Sequence, residues 1–195
     1  MSILKKNHSH KNIIDSNDPQ AYIQLSHFIQ HHLTHYGFEH WVIVCIGTDR
    51  STGDALGPLV GSKLKLTNQD WFTIFGTLEE PVHAINLQDT IHHIQNYYSN
   101  SGILAVDASL GQLGSIGTIQ VVDGPLRPGA GVHKELPEIG HFHISGIVNI
   151  GGFMEYFVLQ NTRLSVVMKM ADTIYNALNI TPGYVKLYKK ENAIN

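Results

Sequence analysis

The run of apolar residues at 41–46, followed at once by glycine, constrains the fold more than any other feature of this sequence. The run (WVIVCI) is rich in β-branched residues and too short for a typical helix, so it predicts a strand. A strand with no polar position on either face is buried on both, which is typical of parallel sheets covered by helices. The segment before it has helical spacing and ends at Gly37, a residue type that favours helix C-termini.

Strand-like and helix-like segments continue to alternate along the chain. This order predicts an α/β fold with three layers, a mostly parallel sheet flanked by helices, like that of phosphorylase- and hydrolase-type domains. The predicted strands are 41–46, 71–75, 103–106 (ending at Asp107), 118–122 and 143–150. The predicted helices are 19–36, 59–66, 87–98, 153–159 and 165–178.

The length of 195 residues suits one domain. We expect residues 1–18, which are polar and rich in Asn and His, to form a flexible tail, and residues 19–195 to form a single α/β domain. The net charge is −3 and the basic clusters lie near the termini, so neither nucleic acid nor an anionic membrane is an expected partner. No apolar run approaches the roughly 20 residues of a membrane span.

The single cysteine, Cys45, lies inside the first predicted strand. The chain therefore forms no internal disulfide, which fits a reducing compartment, and we expect a cytoplasmic protein. A thiol among Val and Ile is expected to be buried and protonated rather than nucleophilic.

Acidic residues follow several of the predicted strands. Asp54 lies in the loop 47–58, Glu79 and Glu80 follow the second strand, and Asp107 ends the third. Sites in parallel sheets form beyond the carboxyl ends of the strands, so these groups are expected at one edge. Two neighbouring carboxylates repel each other, which raises one pKa and leaves an acid–base pair. Alternatively, Asp54 caps the next helix and Asp107 binds amides of the glycine-rich turn after it.

Other site types have less support in the sequence. The loop 47–58 lacks the lysine of a phosphate-binding loop, and Ser109 and Ser145 lie outside the nucleophile-elbow motif. Carboxylates with a nearby histidine could hold a divalent metal. The histidines that flank the long Gly/Pro-rich loop 124–140 are His133, His141 and His143.

The same segments make the sequence similar to a known family. From residue 42 to about 174 it resembles the YyaC-type sporulation proteins of endospore-forming bacteria. The matching segments are 46–58 (IGTDRSTGDALGP), 76–84 (GTLEEPVHA), 106–111 (VDASLG), 128–132 (PGAGV) and 152–156 (GFMEY).

More distant resemblances imply an activity and roles for residues. The segments 54–58, 107–108 and 128–132 resemble the germination protease that degrades small acid-soluble spore proteins, whose two motif aspartates correspond to Asp54 and Asp107. The fold implied is that of a single peptidase-like domain, similar also to hydrogenase-maturation endopeptidases, where two acids and a histidine bind the substrate's nickel. The first acid matches Asp54, the second corresponds to Asp107, and the histidine has no secure match, so His143 is one candidate among three.

The resemblance leaves three hypotheses open. The first is a sporulation- or germination-associated peptidase with Asp54 and Asp107 as catalytic pair, no cofactor, and a protein substrate such as small acid-soluble spore proteins in the forespore or mother cell. The second is a metal-dependent or metal-sensing maturation peptidase, and the third is a spore-assembly or regulatory protein that binds a peptide in the same crevice without cutting it. The expected substrate-binding residues are Asp49, Arg50, Thr52, Glu79, Glu80, Gly129, Gly131 and His133.

Overall fold

A six-stranded sheet forms the centre of the molecule. The computed structural model describes residues 12–67, 71–128 and 136–192. In chain order the elements are β1 (Asn12–Asp15), α1 (Ala21–Tyr36), β2 (Trp41–Cys45), α2 (Leu56–Leu66), β3 (Phe72–Phe75), α3 (Leu87–Tyr97), β4 (Gly102–Gly111), β5 (Thr118–Asp123), β6 (Phe142–Ile150), α4 (Glu155–Gln160) and α5 (Leu164–Asn192).

The sheet is parallel at its centre and antiparallel at one edge. Strands β3, β2, β4 and β6 pair in parallel, whereas β5 is antiparallel to β6 and β1 is antiparallel to β5. Every residue of β2 is buried, because both faces of this strand are covered. The predicted α/β fold with a mostly parallel sheet is confirmed.

The two faces of the sheet are covered differently. Helices α1, α2 and α5 pack on one face, where the larger core cluster includes Leu25, Leu56 and Met170. The other face carries α3 through Leu87, Ile91 and Ile94, together with the loop residues Leu126 and Ile139. A loop replaces a helix over β4 and β6 on this face, which leaves room for a pocket at their carboxyl ends.

The prediction of a flexible N-terminal tail over residues 1–18 is wrong for residues 12–15. The strand β1 lies within it and pairs with β5, and Ile14 is buried in the core. The segment contains only two apolar residues, Ile13 and Ile14, so its sequence shows little strand character. Its stability comes from covering the otherwise unpaired edge of β5. Residues 1–11 lie outside the described residues.

Several predicted element boundaries are also corrected. Strand β4 does not end at Asp107 but continues to Gly111, because β6 runs beside it to Ile150. Helix α2 begins at Leu56 rather than at residue 59. Helix α5 continues past residue 178 and through Pro182, and Val185 beyond the proline is still buried in the core.

The chain shows two properties that the composition had indicated. Cys45 is fully buried in β2, and burial raises the pKa of its thiol, so it is protonated. Among the described residues, no helix has both the length and the apolar character needed to cross a membrane.

Two glycines let α2 lie directly against the backbone at the ends of β2 and β3. A Cβ atom at Gly57 would overlap the carbonyl oxygen of Ile46, and one at Gly61 would overlap the carbonyl oxygen of Gly76. Gly76 itself has φ +88° and packs against the backbone of Cys45. This contact fixes the start of α2, and with it the loop that follows β2.

We expect Gly61→Ala to lower the free energy of unfolding by about 1–3 kcal/mol, because the added methyl group must displace backbone atoms. Chemical denaturation followed by circular dichroism measures the change. The matched control is Gly183→Ala in α5, where an added Cβ meets nothing within 4 Å. The control is expected to be neutral or stabilising by roughly 0.5–1 kcal/mol, since alanine is the better helix former. Equal effects of the two substitutions would contradict the close packing.

Candidate active site

A crevice opens where β2 leaves the sheet. Strand β2 pairs with β4 only as far as Cys45 and Val106, whereas β4 and β6 continue together to Gly111 and Ile150. The chain passes from β2 to β3 on one side and later to β4 on the other, so this is a topological switch point, where ligands bind in open α/β sheets. A pocket of about 490 Å³ lies here.

The loop after β2 returns Asp54 to the end of the strand. Gly47 has φ +142°, and a Cβ atom there would overlap the carbonyl oxygen of Asp54. The backbone N–H of Thr48 donates to that same oxygen at 3.1 Å, which closes the loop. Asp54 then lies in a 3₁₀ turn (Gly53–Ala55) directly before α2.

The carboxylate of Asp54 is not used as a helix cap. Neither the 3₁₀ turn nor α2 has a side-chain hydrogen bond at its N-terminus. The carboxylate instead lines the pocket in a half-buried position. Burial raises its pKa, while the nearby His83 and the backbone amide of Thr48 lower it. The capping alternative does not account for this residue.

Asp107 lies within β4, one residue beyond the point where β2 stops pairing. It is in register with Ser145 of β6, and its Oδ1 accepts a hydrogen bond from the backbone N–H of Ala108 at 2.8 Å. This amide belongs to the strand rather than to the glycine-rich turn proposed as its partner. Asp107 lines the same pocket as Asp54.

The two carboxyl groups interact electrostatically. Burial raises the pKa of Asp107 well above its usual value, and the charge of Asp54 raises it further. The nearby His83, in contrast, lowers the pKa of Asp54. Asp107 therefore holds its proton more tightly than Asp54, which makes Asp54 the candidate base and Asp107 the candidate acid of the pocket.

The rest of the pocket combines apolar walls with a few polar groups. Its apolar lining includes Ile46, Ile85, Leu110, Leu126, Leu136 and Leu159. The hydroxyl of Ser145 donates to that of Ser109 at 2.8 Å, so these two serines bond each other. Ser51 also lines the pocket, and its Oγ is the one buried side-chain polar atom of the described residues that has no hydrogen-bond partner.

Two arginines lie at the pocket, and their surroundings differ. The exposed Arg50 lines the pocket, and no salt bridge is found for it among the described residues. Arg127 also lines it, and its Nε contacts Oε1 of Glu138 at 2.7 Å. Of the two, Arg50 has its guanidinium free for a substrate carbonyl or carboxylate.

The structure does not bring all predicted substrate-binding residues to the pocket. Asp49 and Thr52 belong to the same loop as Asp54 but do not line it. Glu79 and Glu80 are exposed beside α2, where they accept hydrogen bonds from Ser62 and Lys65, both at 3.4 Å. They therefore do not complete an acidic edge around the pocket. Gly129, Gly131 and His133 lie outside the described residues.

Two of the three histidines proposed as metal ligands, His141 and His143, lie away from the pocket, and the third, His133, is outside the described residues. Nδ1 of His141 accepts the backbone N–H of Ile103 at 2.9 Å, and burial lowers its pKa. Nδ1 of His143 lies 3.0 Å from the carbonyl oxygen of Gly124, and neither ring lines the pocket. No group of three His, Cys, Asp or Glu side chains within the ranges described could hold a metal ion. The described donor set therefore does not fit a bound divalent metal.

Two parts of the pocket were not predicted from the sequence. His83 follows Val82, which forms a parallel bridge with Ile46 beside β2. Helix α4 contributes Glu155, Tyr156 and Leu159 to the wall. The position of His83 after the second predicted strand could have indicated it, because that segment reaches the same edge of the sheet.

The architecture places the chain in a known class of α/β folds. It is similar to the crystal structure of a [NiFe] hydrogenase maturation protease, HycI, from Thermococcus kodakarensis KOD1, with a TM-score of 0.53 and 18% identity over 78% of this chain and 99% of that one. At this identity the likeness concerns the fold alone.

The chain belongs to the family described as "Protein of unknown function (DUF1256)", which matches residues 13–177. A relative in Bacillus subtilis (strain 168), with the name "Uncharacterized protein YyaC", is 59% identical over 140 residues, which are 72% of this chain and 68% of the relative. The resemblance inferred from the motifs is thereby confirmed.

We expect Asp107→Asn to change how stability depends on pH. The folded pKa of Asp107 lies above the unfolded value of about 3.9, so the folded state holds the proton more tightly. Its burial therefore destabilises the protein progressively as the pH rises from about 3.9 to the folded pKa. Asparagine cannot ionise, so the variant gains stability relative to wild type over this range.

Urea denaturation between pH 4 and pH 8 measures this difference. The control is Asp89→Asn, which changes an exposed carboxylate in the first turn of α3. Its profile is expected to run parallel to that of the wild type. A parallel profile for Asp107→Asn as well would show that Asp107 does not have a raised pKa in the folded protein.

Proposed function

We propose that this protein is a peptidase that hydrolyses a peptide bond with Asp54 and Asp107 as its catalytic pair. The observation that carries the proposal is the environment of these two carboxyl groups. Both line one pocket, both have raised pKa values, and the charge of Asp54 raises the pKa of Asp107. Perturbed and coupled acids in a cleft are typical of catalytic sites.

The pair can supply both proton transfers of amide hydrolysis. The ionised Asp54 takes a proton from water as the water oxygen attacks the peptide carbonyl carbon. The protonated Asp107 gives its proton to the amide nitrogen as the C–N bond breaks. Transfer of the proton from Asp54 back to Asp107 restores the pair, and one water is consumed for each bond cut.

The pocket suits a polypeptide better than a small charged metabolite. Its walls are mainly apolar, three acids and two arginines line it, and none of the described lining residues is a lysine. The fold similarity to a maturation protease, and the resemblance of segments 54–58, 107–108 and 128–132 to the germination protease, support a protein substrate. We infer a role in sporulation or germination, in the forespore or mother cell, with small acid-soluble spore proteins as the first substrates to test.

Incubation of the purified protein with small acid-soluble spore proteins from Bacillus subtilis tests the proposal. Mass spectrometry is expected to detect fragments with new termini. Asp54→Asn and Asp107→Asn are each expected to slow cleavage by roughly 10²–10⁴-fold, since each removes one proton-transfer group. The exposed Asp89→Asn serves as the control and is expected to cleave as fast as wild type.

A second candidate is a binding protein that holds a peptide in the same crevice without cutting it. The apolar surface beside the pocket favours this alternative, because Phe153, Met154 and Phe157 are exposed. The same incubation separates the two. Stable complexes with intact partner, equally formed by wild type and Asp54→Asn, would overturn the peptidase proposal and support binding alone.

A further inference from the structure

His83 lies at the pocket in a position fixed by backbone contacts to the Asp54 loop. The preceding residue, Val82, forms a parallel bridge with Ile46, and its carbonyl oxygen accepts the backbone N–H of Gly47 at 2.8 Å. Gly47 begins the loop that carries Asp54. The distance between the two side chains therefore depends on sheet-like contacts rather than on a long flexible connection.

A compact turn holds His83 from the other side. Its backbone N–H donates to Oδ1 of Asn86 at 2.8 Å, and Nδ2 of Asn86 donates to the carbonyl oxygen of Pro81 at 3.0 Å. The carbonyl oxygen of His83 accepts from the backbone N–H groups of Asn86 and Leu87, at 3.1 and 3.0 Å. The half-buried ring is thus anchored at the start of α3.

The ring contacts determine which nitrogen carries the proton. The backbone N–H of Ile85 donates to Nδ1 of His83 at 3.3 Å, so Nδ1 is an acceptor. In a neutral imidazole the proton is then on Nε2, which becomes the donor. Nε2–H is the polar group that His83 can offer to the pocket.

The spacing between His83 and Asp54 leaves room for a substrate group. The histidine is near enough to affect the ionisation of Asp54, yet within the described part of the chain no ion pair of 4.0 Å or less joins the two side chains. Among the described residues, the charged groups that line the same pocket are Arg50, Asp54, Asp107, Arg127 and Glu155. Two of the pocket serines, Ser109 and Ser145, bond each other.

We propose that His83 is a third catalytic residue, a hydrogen-bond donor whose Nε2–H binds the carbonyl oxygen of the scissile peptide bond. The inference rests on the proposed peptidase function for its catalytic meaning. As water adds to the carbonyl carbon, the C=O electron pair moves to the oxygen, and Nε2–H stabilises the developing negative charge. Asp54 takes the water proton and Asp107 protonates the departing amine, so each of the three groups has a separate task.

Two substitutions distinguish the contribution of the N–H donor from that of the imidazole ring itself. His83→Leu removes the donor and is expected to lower kcat by roughly 100-fold or more with little change in KM, as for loss of one oxyanion-binding donor. His83→Gln can place an N–H near the position of Nε2 and is expected to retain a larger share of kcat. The matched control is His92→Leu on the exposed side of α3, expected to match wild type.

Nitrogen-15 NMR of histidine-labelled wild-type protein provides a readout that needs no substrate. For the neutral ring, the spectrum is expected to show His83 with a protonated Nε2 and an unprotonated Nδ1, and the reverse tautomer would overturn the inference. If wild type cleaves spore proteins and His83→Leu, folded by circular dichroism, cleaves equally well, the inference also fails while the peptidase proposal stands. If wild type cleaves nothing, the peptidase proposal fails, and with it the catalytic task of His83 even where the tautomer is as expected.

Discussion

The close contact of α2 with the ends of β2 and β3 is the constraint on which the site depends. Gly57 and Gly61 let the helix backbone lie against Ile46 and Gly76. Only glycine permits this approach, because any Cβ would occupy the space of a carbonyl oxygen. The loop between β2 and α2 is then short and fully determined, and the bond from Thr48 to the Asp54 carbonyl closes it. The acid is consequently placed by backbone packing rather than by contacts of its own side chain.

The site contains buried carboxyl groups whose electrostatic interactions destabilise the folded state. A core that served only to stabilise the fold would not contain them. Burying carboxyl groups at the same pocket costs stability, and burial together with the charge of Asp54 raises the pKa of Asp107 well above its usual value. Met154 adds local backbone strain, since it has φ +53° without being glycine. It starts α4, whose residue Leu159 packs against Gly53 in the turn that carries Asp54. Buried acids and backbone strain around one crevice are typical of sites selected for activity rather than for stability.

The fold similarity to the hydrogenase maturation protease does not extend to a metal site in the described residues. Asp54 and Asp107 line the pocket, but His141 and His143 are engaged with backbone groups away from it. The histidine that does line the pocket, His83, has one ring nitrogen occupied by the Ile85 amide. The fold by itself does not fix the chemistry of the site, because function depends on the side chains at the strand ends.

The sequence by itself determined that the sheet is mostly parallel and that Asp54 and Asp107 lie at the same edge of it. The continuous apolar run of β2 requires burial on both faces, and strand ends in a parallel sheet converge, so Asp54 and Asp107 could be placed at one edge. Local pattern could not reveal β1, whose two apolar residues gain meaning only beside β5, nor the extension of β4 past Asp107, which depends on β6. The local pattern also could not show which of Glu79, Glu80 and His83 lines the pocket, since all three follow β3. Only the tertiary structure directs the glutamates to α2 and the histidine to the pocket, because that choice depends on packing between segments distant in sequence.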